Sequence, residues 1–340
     1  MGARRMEVGI GLPTRPPLSL ARWMLRWARL LRLDSAWAID HFTGFVPRSL
    51  WDPGFTFLAR RISTPDSFFD YQSLLGYLAS RAGGVRLAVG VTEPIRRHPV
   101  LLAQAFLTLS HMTRLPPILG IGAGERENTE PYGLDFDRSV ARLEEALQVI
   151  RRCFDSSKPF DFQGSFYRLR DASMELKAPA GRAPPIWVAA HGPRMLRLTG
   201  RYGDGWYPVF HMTPDEYAAK LDVIRRSAAE AGRPPEAITP GLLLPMVLAG
   251  TERAARAMLD ARPVRFGALL LPDSIWRLHG FQHPLGAGFR GLVDLVPQQY
   301  QAGEVERAIS LVPQELLVER VAWGTPEKLL GHIRELGEVG

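Results

Sequence analysis

The sequence has one cysteine, no long apolar run and little lysine, and these scarcities exclude several classes of protein. Since Cys153 is the only cysteine among 340 residues, an intrachain disulfide is excluded and a reducing compartment is favoured. No apolar stretch approaches the roughly 18 residues that span a bilayer, and the first residues lack the apolar core of a secretory signal. We therefore expect a cytoplasmic protein without a membrane span, in which Cys153 is a buried thiol on a helix.

Positive charge is spread along the chain. The formal net charge is +7, yet lysine occurs only at Lys158, Lys177, Lys220 and Lys328, so nearly all of this charge is arginine. A bias in composition explains it more simply than a dedicated anion-binding surface does. No block of five like charges occurs, and nucleic-acid binding is therefore not expected.

Strand-like and helix-like segments alternate along most of the chain, as in barrels built from strand–helix units. The alternation is broken by three insertions, about 42–73, 155–184 and 263–301. The second contains two short strand-like pieces that predict a hairpin, and the third is irregular. Thr213-Pro214-Asp215-Glu216 predicts a capping box at the start of one helix. The remaining segments form seven strand–helix units, enough for one large barrel domain over residues 1–340. No eighth strand is identified before Gly340. We predict an α/β protein with a TIM-type (β/α)8 barrel whose eighth strand is missing from the chain.

The segment 118–133, ILGIGAGERENTEPYG, joins an apolar strand to a helix through an acidic, glycine-rich turn. The turn carries Glu125, Glu127, Asn128 and Glu130. Barrel enzymes place catalytic groups at the carboxyl ends of strands, which makes Glu125 a catalytic candidate. Other interpretations are a dinucleotide fingerprint, although a glutamate stands where its third glycine belongs, a solvated acidic loop without chemistry, and a phosphate cradle, which the carboxylates disfavour.

The second predicted strand, SAWAID, delivers Asp40 and His41 at its end. An isolated Asp-His pair is more often structural than catalytic, but this one lies where barrel active sites collect. An imidazole has an unperturbed pKa of about 6.5 and so suits proton transfer. We take His41 as the proton carrier and Asp40 as a group that orients the imidazole or bonds to a cofactor.

Three motifs carry a resemblance to a known family. Gly122-Ala-Gly-Glu125 followed by Asn128 resembles the luciferase-like family of flavin- and deazaflavin-dependent oxidoreductases. GIGAGERENTEPYG, WVAAHGPRMLRLTGRYGDGW and HPLGAGFRGLVDLVPQ are similar, within that family, to the phthiodiolone ketoreductases, which use the deazaflavin coenzyme F420. The resemblance extends from Val8 to Pro326.

The resemblance implies a set of cofactor-binding residues. In the family, the third strand bulges beneath the cofactor ring, often at a non-prolyl cis peptide, and the turn after the fifth strand binds the cofactor's phosphate or adjoining chain. Apart from the resemblance, that turn would be an ordinary proline-started helix. An Asp-His pair suits deazaflavin users, whereas flavin monooxygenases tend to carry Glu-His. The implied residues are Asp40, Gly90, Val91, Thr92, Asn128, Ala190, His191, Gly192 and Pro193.

The resulting functional hypothesis is an F420-dependent ketoreductase acting on an apolar, lipid-like carbonyl compound. His41 would protonate the developing alkoxide, and Glu125 would hold His41 or a water, or act as the alternative acid. Two alternatives stay open: an FMN-dependent monooxygenase and a non-catalytic cofactor-binding protein. Members of the family often dimerise, so the resemblance is compatible with a homodimer.

Two further patterns have simpler interpretations. His279 and His283 are four residues apart, but without a third ligand they do not predict a metal site. The first insertion is rich in aromatic residues, which either line an apolar substrate channel or pack within the loop; they are Phe55, Phe57, Phe68, Phe69 and Tyr71.

Overall fold

A computed structural model describes residues 5–340 of the chain, in which strands and helices alternate. The strands are β1 (Gly9–Gly11), β2 (Ser35–Ala38), β3 (Arg86–Thr92), β4 (Ile118–Ile121), β5 (Phe160–Gln163), β6 (Arg168–Ala172), β7 (Ile186–Val188), β8 (Gly205–Trp206), β9 (Thr239–Pro240), β10 (Met246–Leu248) and β11 (Ala322–Gly324). The helices are α1 (Leu18–Leu30), α2 (Tyr71–Ala79), α3 (Pro99–Met112), α4 (Ser139–Asp155), α5 (Pro193–Tyr202), α6 (Pro214–Glu230), α7 (Glu252–Met258), α8 (Arg262–Ala268), α9 (Asp273–Leu278), α10 (Ala302–Ser310), α11 (Gln314–Arg320) and α12 (Pro326–Val339).

The main sheet is parallel throughout, in the order β1-β2-β3-β4-β7-β8-β9. Strands that are neighbours in this sheet are also consecutive along the chain, except that β5 and β6 lie between β4 and β7 and form a separate sheet. This is the connectivity of a barrel of strand–helix units. Strands β2, β4 and β7 are buried along their whole length, because helices cover a parallel sheet and its interior is filled by side chains. The predicted α/β barrel-type fold is confirmed.

The main sheet has seven strands among residues 5–340, as the sequence predicted. A further strand, β11, was not predicted. It pairs in parallel with β10 in a separate two-stranded sheet, with Met246 opposite Ala322. The last helix, α12, therefore also follows a strand. The pairing partner of β11 lies far away in the chain, so no local sequence pattern reveals this strand.

Two apolar cores stabilise the molecule. The larger lies between the sheet and helices α1 to α6 and includes Leu25, Phe106 and Ile150. The smaller is built from the insertions and the carboxyl-terminal helices, with Trp276 and Leu316 at its centre. Cys153 is buried in the larger core, as predicted, and burial raises the pKa of its thiol to about 11.

Aromatic side chains form a third cluster of buried residues with Ala88 and Ile118. Trp37 stacks on Tyr207 with ring centroids 4.3 Å apart, and Trp187 packs beside both. Glycine is required opposite Trp187, because a Cβ on Gly205 would lie 2.5 Å from that ring. Trp37 and Trp187 lie within β2 and β7, and Tyr207 directly follows β8.

The insertions have more regular structure than the sequence indicated. Residues 155–184 contain the predicted hairpin, in which β5 and β6 pair antiparallel. Residues 263–301 were expected to be irregular but contain most of α8 and all of α9. These helices have six or seven residues and form because they bury Phe266 and Trp276 in the smaller core.

The predicted signal at the start of α6 is confirmed. Thr213 and Glu216 form the predicted capping box at the start of α6, with proline at the first helical position. Among the described residues, no helix combines the length and the apolar character needed to cross a membrane.

Candidate active site

His41 and the acidic turn after β4 meet beyond the carboxyl ends of β2 and β4. Nε2 of His41 lies 3.7 Å from a carboxylate oxygen of Glu125, and Nδ1 lies 3.6 Å from Oε1 of Glu127. The two ring nitrogens thus face different carboxyl groups. The predicted convergence of His41 and Glu125 is present, and Glu127, for which no role was predicted, is part of the same cluster.

Asn128 joins the two segments. Its Oδ1 accepts a hydrogen bond from the backbone N–H of Phe42 at 2.6 Å, so its Nδ2 must face the other way. Nδ2 donates to Oε1 of Glu127 at 2.7 Å and lies 3.0 Å from Nδ1 of His41. Asn128 was predicted to bind the cofactor; in the structure its side chain contacts Phe42, His41 and Glu127.

The electrostatics of the cluster follow from burial. Burial lowers the pKa of His41, and the negative charge of Glu125 opposes this shift. Burial also raises the pKa of Glu127 well above its usual range, and Glu125 adds to the shift. The side chain of Glu127 is fully buried, and its Oε2 has no hydrogen-bond partner among the described residues. Glu127 therefore keeps its proton to a higher pH than an exposed glutamate does.

Asp40 lies next to His41 in sequence, but its carboxylate binds other groups. It accepts a hydrogen bond from Thr92 Oγ1 at 2.6 Å and forms ion pairs with Arg96 at 3.2 Å and Arg97 at 3.0 Å. Arg96 also binds the buried Glu93 at 2.5 Å. The sequence interpretation that Asp40 orients the imidazole receives no support from these contacts, since its charge is balanced by two arginines.

Strand β3 has the irregularity expected beneath a cofactor. The peptide bond between Gly90 and Val91 is cis, and the pairing of β3 with β4 shifts register between Val89 and Thr92. A Cβ on Gly90 would lie 2.8 Å from Tyr207 Oη and 2.9 Å from Trp37. The backbone at Gly90 therefore packs directly against the buried aromatic cluster.

The turn after β7 presents the start of α5. Gly192 is the N-cap and supplies no side-chain cap, Pro193 is the first helical residue, and the first turn has no acidic residue. Free backbone N–H groups at such a helix start attract anions. Lys220 donates to the carbonyl of His191 at 3.0 Å and adds positive charge. Ala190 is buried just before this turn.

The aromatic residues of the first insertion divide between several environments. Phe68 lies 5.7 Å from the ring of His41, and Phe45 lies 5.0 Å from it on an edge. Phe55 packs against Phe266 in the smaller core. Phe57 is 74% exposed. Packing therefore accounts for part of the set, and Phe68 is the member that lies beside the candidate active site.

His41, Glu125 and Glu127 offer three ligand atoms within 4.8 Å of one another. The two carboxyl groups face opposite nitrogens of one imidazole, however, and a single ion binds only one nitrogen of a ring. This geometry suits proton transfer better than metal binding. His279 and His283 are also engaged separately: His279 pairs with Glu319 at 2.8 Å, and His283 contacts the carbonyl of Leu269.

A cleft of about 430 Å³ opens beside the acidic turn. Its walls combine residues of the turn with residues of the third insertion; they are Arg126, Glu130, Leu285, Ala287, Gly288, Phe289, Asp294, Val296, Gln299 and Tyr300. Arg126 bridges the two walls through an ion pair with Asp294 at 3.1 Å. The third insertion therefore forms one side of a cleft whose other side is the acidic turn.

Comparisons with known proteins agree with the fold. The sequence model of the luciferase-like monooxygenase family matches residues 8–340. A phthiodiolone/phenolphthiodiolone dimycocerosates ketoreductase of Mycobacterium kansasii is 39% identical over 324 residues, which cover 94% of this chain and 88% of that protein.

Two solved structures share the architecture. The coenzyme F420-dependent tetrahydromethanopterin reductase of Methanopyrus kandleri superposes with a TM-score of 0.75 at 20% identity, covering 99% of this chain and 91% of that chain. An F420-dependent secondary alcohol dehydrogenase in complex with an F420-acetone adduct superposes with a TM-score of 0.72 at 22% identity, covering 98% and 91%. At these identities the likeness establishes the fold.

Proposed function

The chain is an oxidoreductase of the luciferase-like monooxygenase family, and from this premise we propose that it uses coenzyme F420 to reduce a ketone group of an apolar, lipid-like substrate. The observation that carries the proposal is His41, held between Glu125 on one ring nitrogen and Asn128 with Glu127 on the other. The name of the mycobacterial ketoreductase supports the reaction class.

Several features fit a flat, anionic cofactor. The bulge at Gly90 and Val91 exposes backbone at the end of β3, and the uncapped start of α5 at Gly192 and Pro193 fits a phosphate. Nη1 of Arg96 is buried without a hydrogen-bond partner among residues 5–340, so a donor is available near Asp40. We assign cofactor binding to these groups together with Thr92, Ala190 and His191.

A reduced deazaflavin held by these groups would supply the hydride for a carbonyl carbon. The residues of this chain then have to stabilise and protonate the alkoxide oxygen. We assign this role to Nε2 of His41, and Glu125 beside it orients the ring or a water. A positioned acid of this kind typically contributes about a hundred- to ten-thousand-fold in rate.

The substrate is assigned to the cleft between the acidic turn and the third insertion. Leu285 and Phe289 supply apolar surface there, and the rings of Phe45 and Phe68 lie beside His41. An apolar chain bound in this cleft would place its ketone toward the turn that carries Glu125.

The cofactor is tested by titrating the protein separately with F420 and with FMN while following cofactor fluorescence. Micromolar or tighter binding of F420, with FMN bound at least about tenfold more weakly, is the expected result, a difference of about 1.4 kcal/mol. Preference for FMN, together with oxygen consumption in the presence of reduced FMN, would instead identify a monooxygenase.

The role of His41 is tested by His41→Ala. Turnover of reduced F420 with long-chain ketones is expected to fall by at least about a hundredfold, while F420 affinity changes little. His111→Ala is the matched control, because His111 is exposed in the last turn of α3. Normal turnover by His41→Ala would remove His41 from the mechanism.

A further inference from the structure

Nδ1 of His41 has both a hydrogen-bond acceptor and a hydrogen-bond donor within reach. The backbone carbonyl of Thr43 lies 3.1 Å away and can only accept. Nδ2 of Asn128 lies 3.0 Å away and, because its oxygen is held by Phe42 N–H, can only donate. Each partner suits one tautomer: Asn128 favours the ring with its proton on Nε2, and Thr43 favours the ring with its proton on Nδ1.

A neutral imidazole is a weak acid unless a proton arrives at one nitrogen as another leaves. Burial keeps His41 neutral by lowering its pKa. To protonate an alkoxide from Nε2, the ring therefore needs a proton source on the Nδ1 side. Glu127 is the carboxyl group on that side, with Oε1 3.6 Å from Nδ1.

We propose that Glu127 is a proton-supplying and positioning residue that acts through His41. The proposal rests on the proposed reductase function. As the alkoxide oxygen takes the proton from Nε2, Nδ1 takes the proton from the Glu127 carboxyl. The Nε2–H and carboxyl O–H bonds break, and the alcohol O–H and Nδ1–H bonds form. His41 ends neutral as the opposite tautomer, now donating to Thr43, and Glu127 ends as a carboxylate.

Burial and contacts fit this role. The Glu127 side chain is fully buried, and its Oε2 lacks a partner among the described residues, as expected for an acid kept out of water. Oε1 accepts from Asn128, which fixes the carboxyl beside the ring. The 3.6 Å separation is longer than a hydrogen bond, and such contacts tighten in the reacting complex. Glu125 is 23% exposed, and one of its carboxylate oxygens lies within 4.8 Å of one of Glu127, so we assign to Glu125 the return of a proton from water to Glu127.

The decisive variant is Glu127→Gln, which keeps the size and the acceptor for Asn128 but has no acidic proton. We expect kcat for ketone reduction to fall by at least about a hundredfold, with KM and F420 affinity unchanged within about twofold. The other charged groups that act on Glu127 and His41 are Glu125 and Arg96, and Arg15 also acts on His41. In the wild type kcat should decline as pH rises and Glu127 loses its proton, whereas the residual rate of the variant should lack that limb.

Infrared spectroscopy of the cofactor-free protein provides a separate readout. The wild type at neutral pH should show a protonated carboxylic acid band that is lost in Glu127→Gln and kept in Glu130→Gln, whose carboxylate is exposed. A kcat for Glu127→Gln within about threefold of wild type, or the absence of that band, would overturn the proposal. If the wild type neither binds F420 nor reduces ketones, the proposed function fails, and the infrared band alone decides whether Glu127 stores a proton. If Glu127→Gln does not fold, a pH titration of this band in the wild type still shows whether a buried carboxylic acid keeps its proton at neutral pH.

Discussion

Nδ2 of Asn128 lies 3.0 Å from Nδ1 of His41, although the two residues are 87 positions apart in the sequence. The contact joins the end of β2 to the turn after β4, and it places an obligatory donor against one ring nitrogen. Asn128, on another strand–helix unit, therefore favours the tautomer of His41 that carries its proton on Nε2.

Asn128→Asp should raise the pKa of His41. The new carboxylate cannot donate to Nδ1, and its negative charge favours the imidazolium. An NMR titration of the His41 ring resonances measures the shift. Gln148→Glu makes the same chemical change on α4 and should leave His41 unaffected. An unaltered His41 titration in Asn128→Asp would mean that the asparagine does not control the ring.

Asp40→Ala should destabilise the protein by about 3–5 kcal/mol, because it leaves the buried charge of Arg96 without one of its two carboxylate partners. The free energy of unfolding in urea measures this loss. Asp222→Ala removes the partner of Arg226 in an exposed pair on α6 and should cost at most about 1 kcal/mol. Equal losses in the two variants would argue against a buried ion-pair network around Asp40.

Gly90→Ala should destabilise the barrel mouth, since the added methyl would meet Tyr207 and Trp37 at less than 3 Å. Overpacking of this kind typically costs about 1–3 kcal/mol, and thermal unfolding reports it. Gly76→Ala is the control: its Cβ meets nothing within 4 Å in α2, so it should be neutral or stabilising by up to about 1 kcal/mol. A fully stable Gly90→Ala protein would show that the aromatic cluster can move away.

Arg194→Glu should weaken F420 binding by about tenfold, or about 1.4 kcal/mol, because it brings negative charge to the uncapped start of α5. Arg197→Glu introduces the same charge one turn later and should have a smaller effect. Fluorescence titrations at low and high salt measure both, and the difference between the variants should shrink as salt rises. Equal affinities would place the anionic part of the cofactor elsewhere.

Stability should decrease on mild acidification. The rings of His211 and His332 stack with centroids 4.6 Å apart. Burial, together with the charge of His332, lowers the pKa of His211 to about 4, whereas the pKa of a histidine in the unfolded chain is about 6.5. Between these values the unfolded chain binds more protons, so the free energy of unfolding falls as pH drops through that window and is retained above it.

His211→Phe should flatten this dependence, because phenylalanine keeps an aromatic ring at the site but cannot bind the proton. Urea unfolding at several pH values between about 4 and 7.5 measures the slope. His111→Phe, at an exposed position, serves as the control. The slope should decrease without disappearing, because burial also lowers the pKa of His41 and His283. An identical slope in wild type and His211→Phe would rule out a contribution from this pair.

Local patterns in the sequence determined the alternation of strands and helices, the capping box at Thr213 and the buried position of Cys153. Hydrophobic period and cap chemistry depend on neighbouring residues, so they are readable without a structure. The motif resemblance also pointed to the irregularity at Gly90 and Val91. The approach of His41 to Glu125 followed from the rule that strands of a barrel end at one mouth.

Only the tertiary structure decided how the polar groups at that mouth are divided. Asp40 adjoins His41 in sequence but binds Arg96 and Arg97, whereas the unassigned Glu127 is buried against the imidazole. The short strand β11 likewise exists through its pairing with β10. Burial and partner choice depend on residues far apart in the chain, and these set the pKa and the role of each carboxyl group.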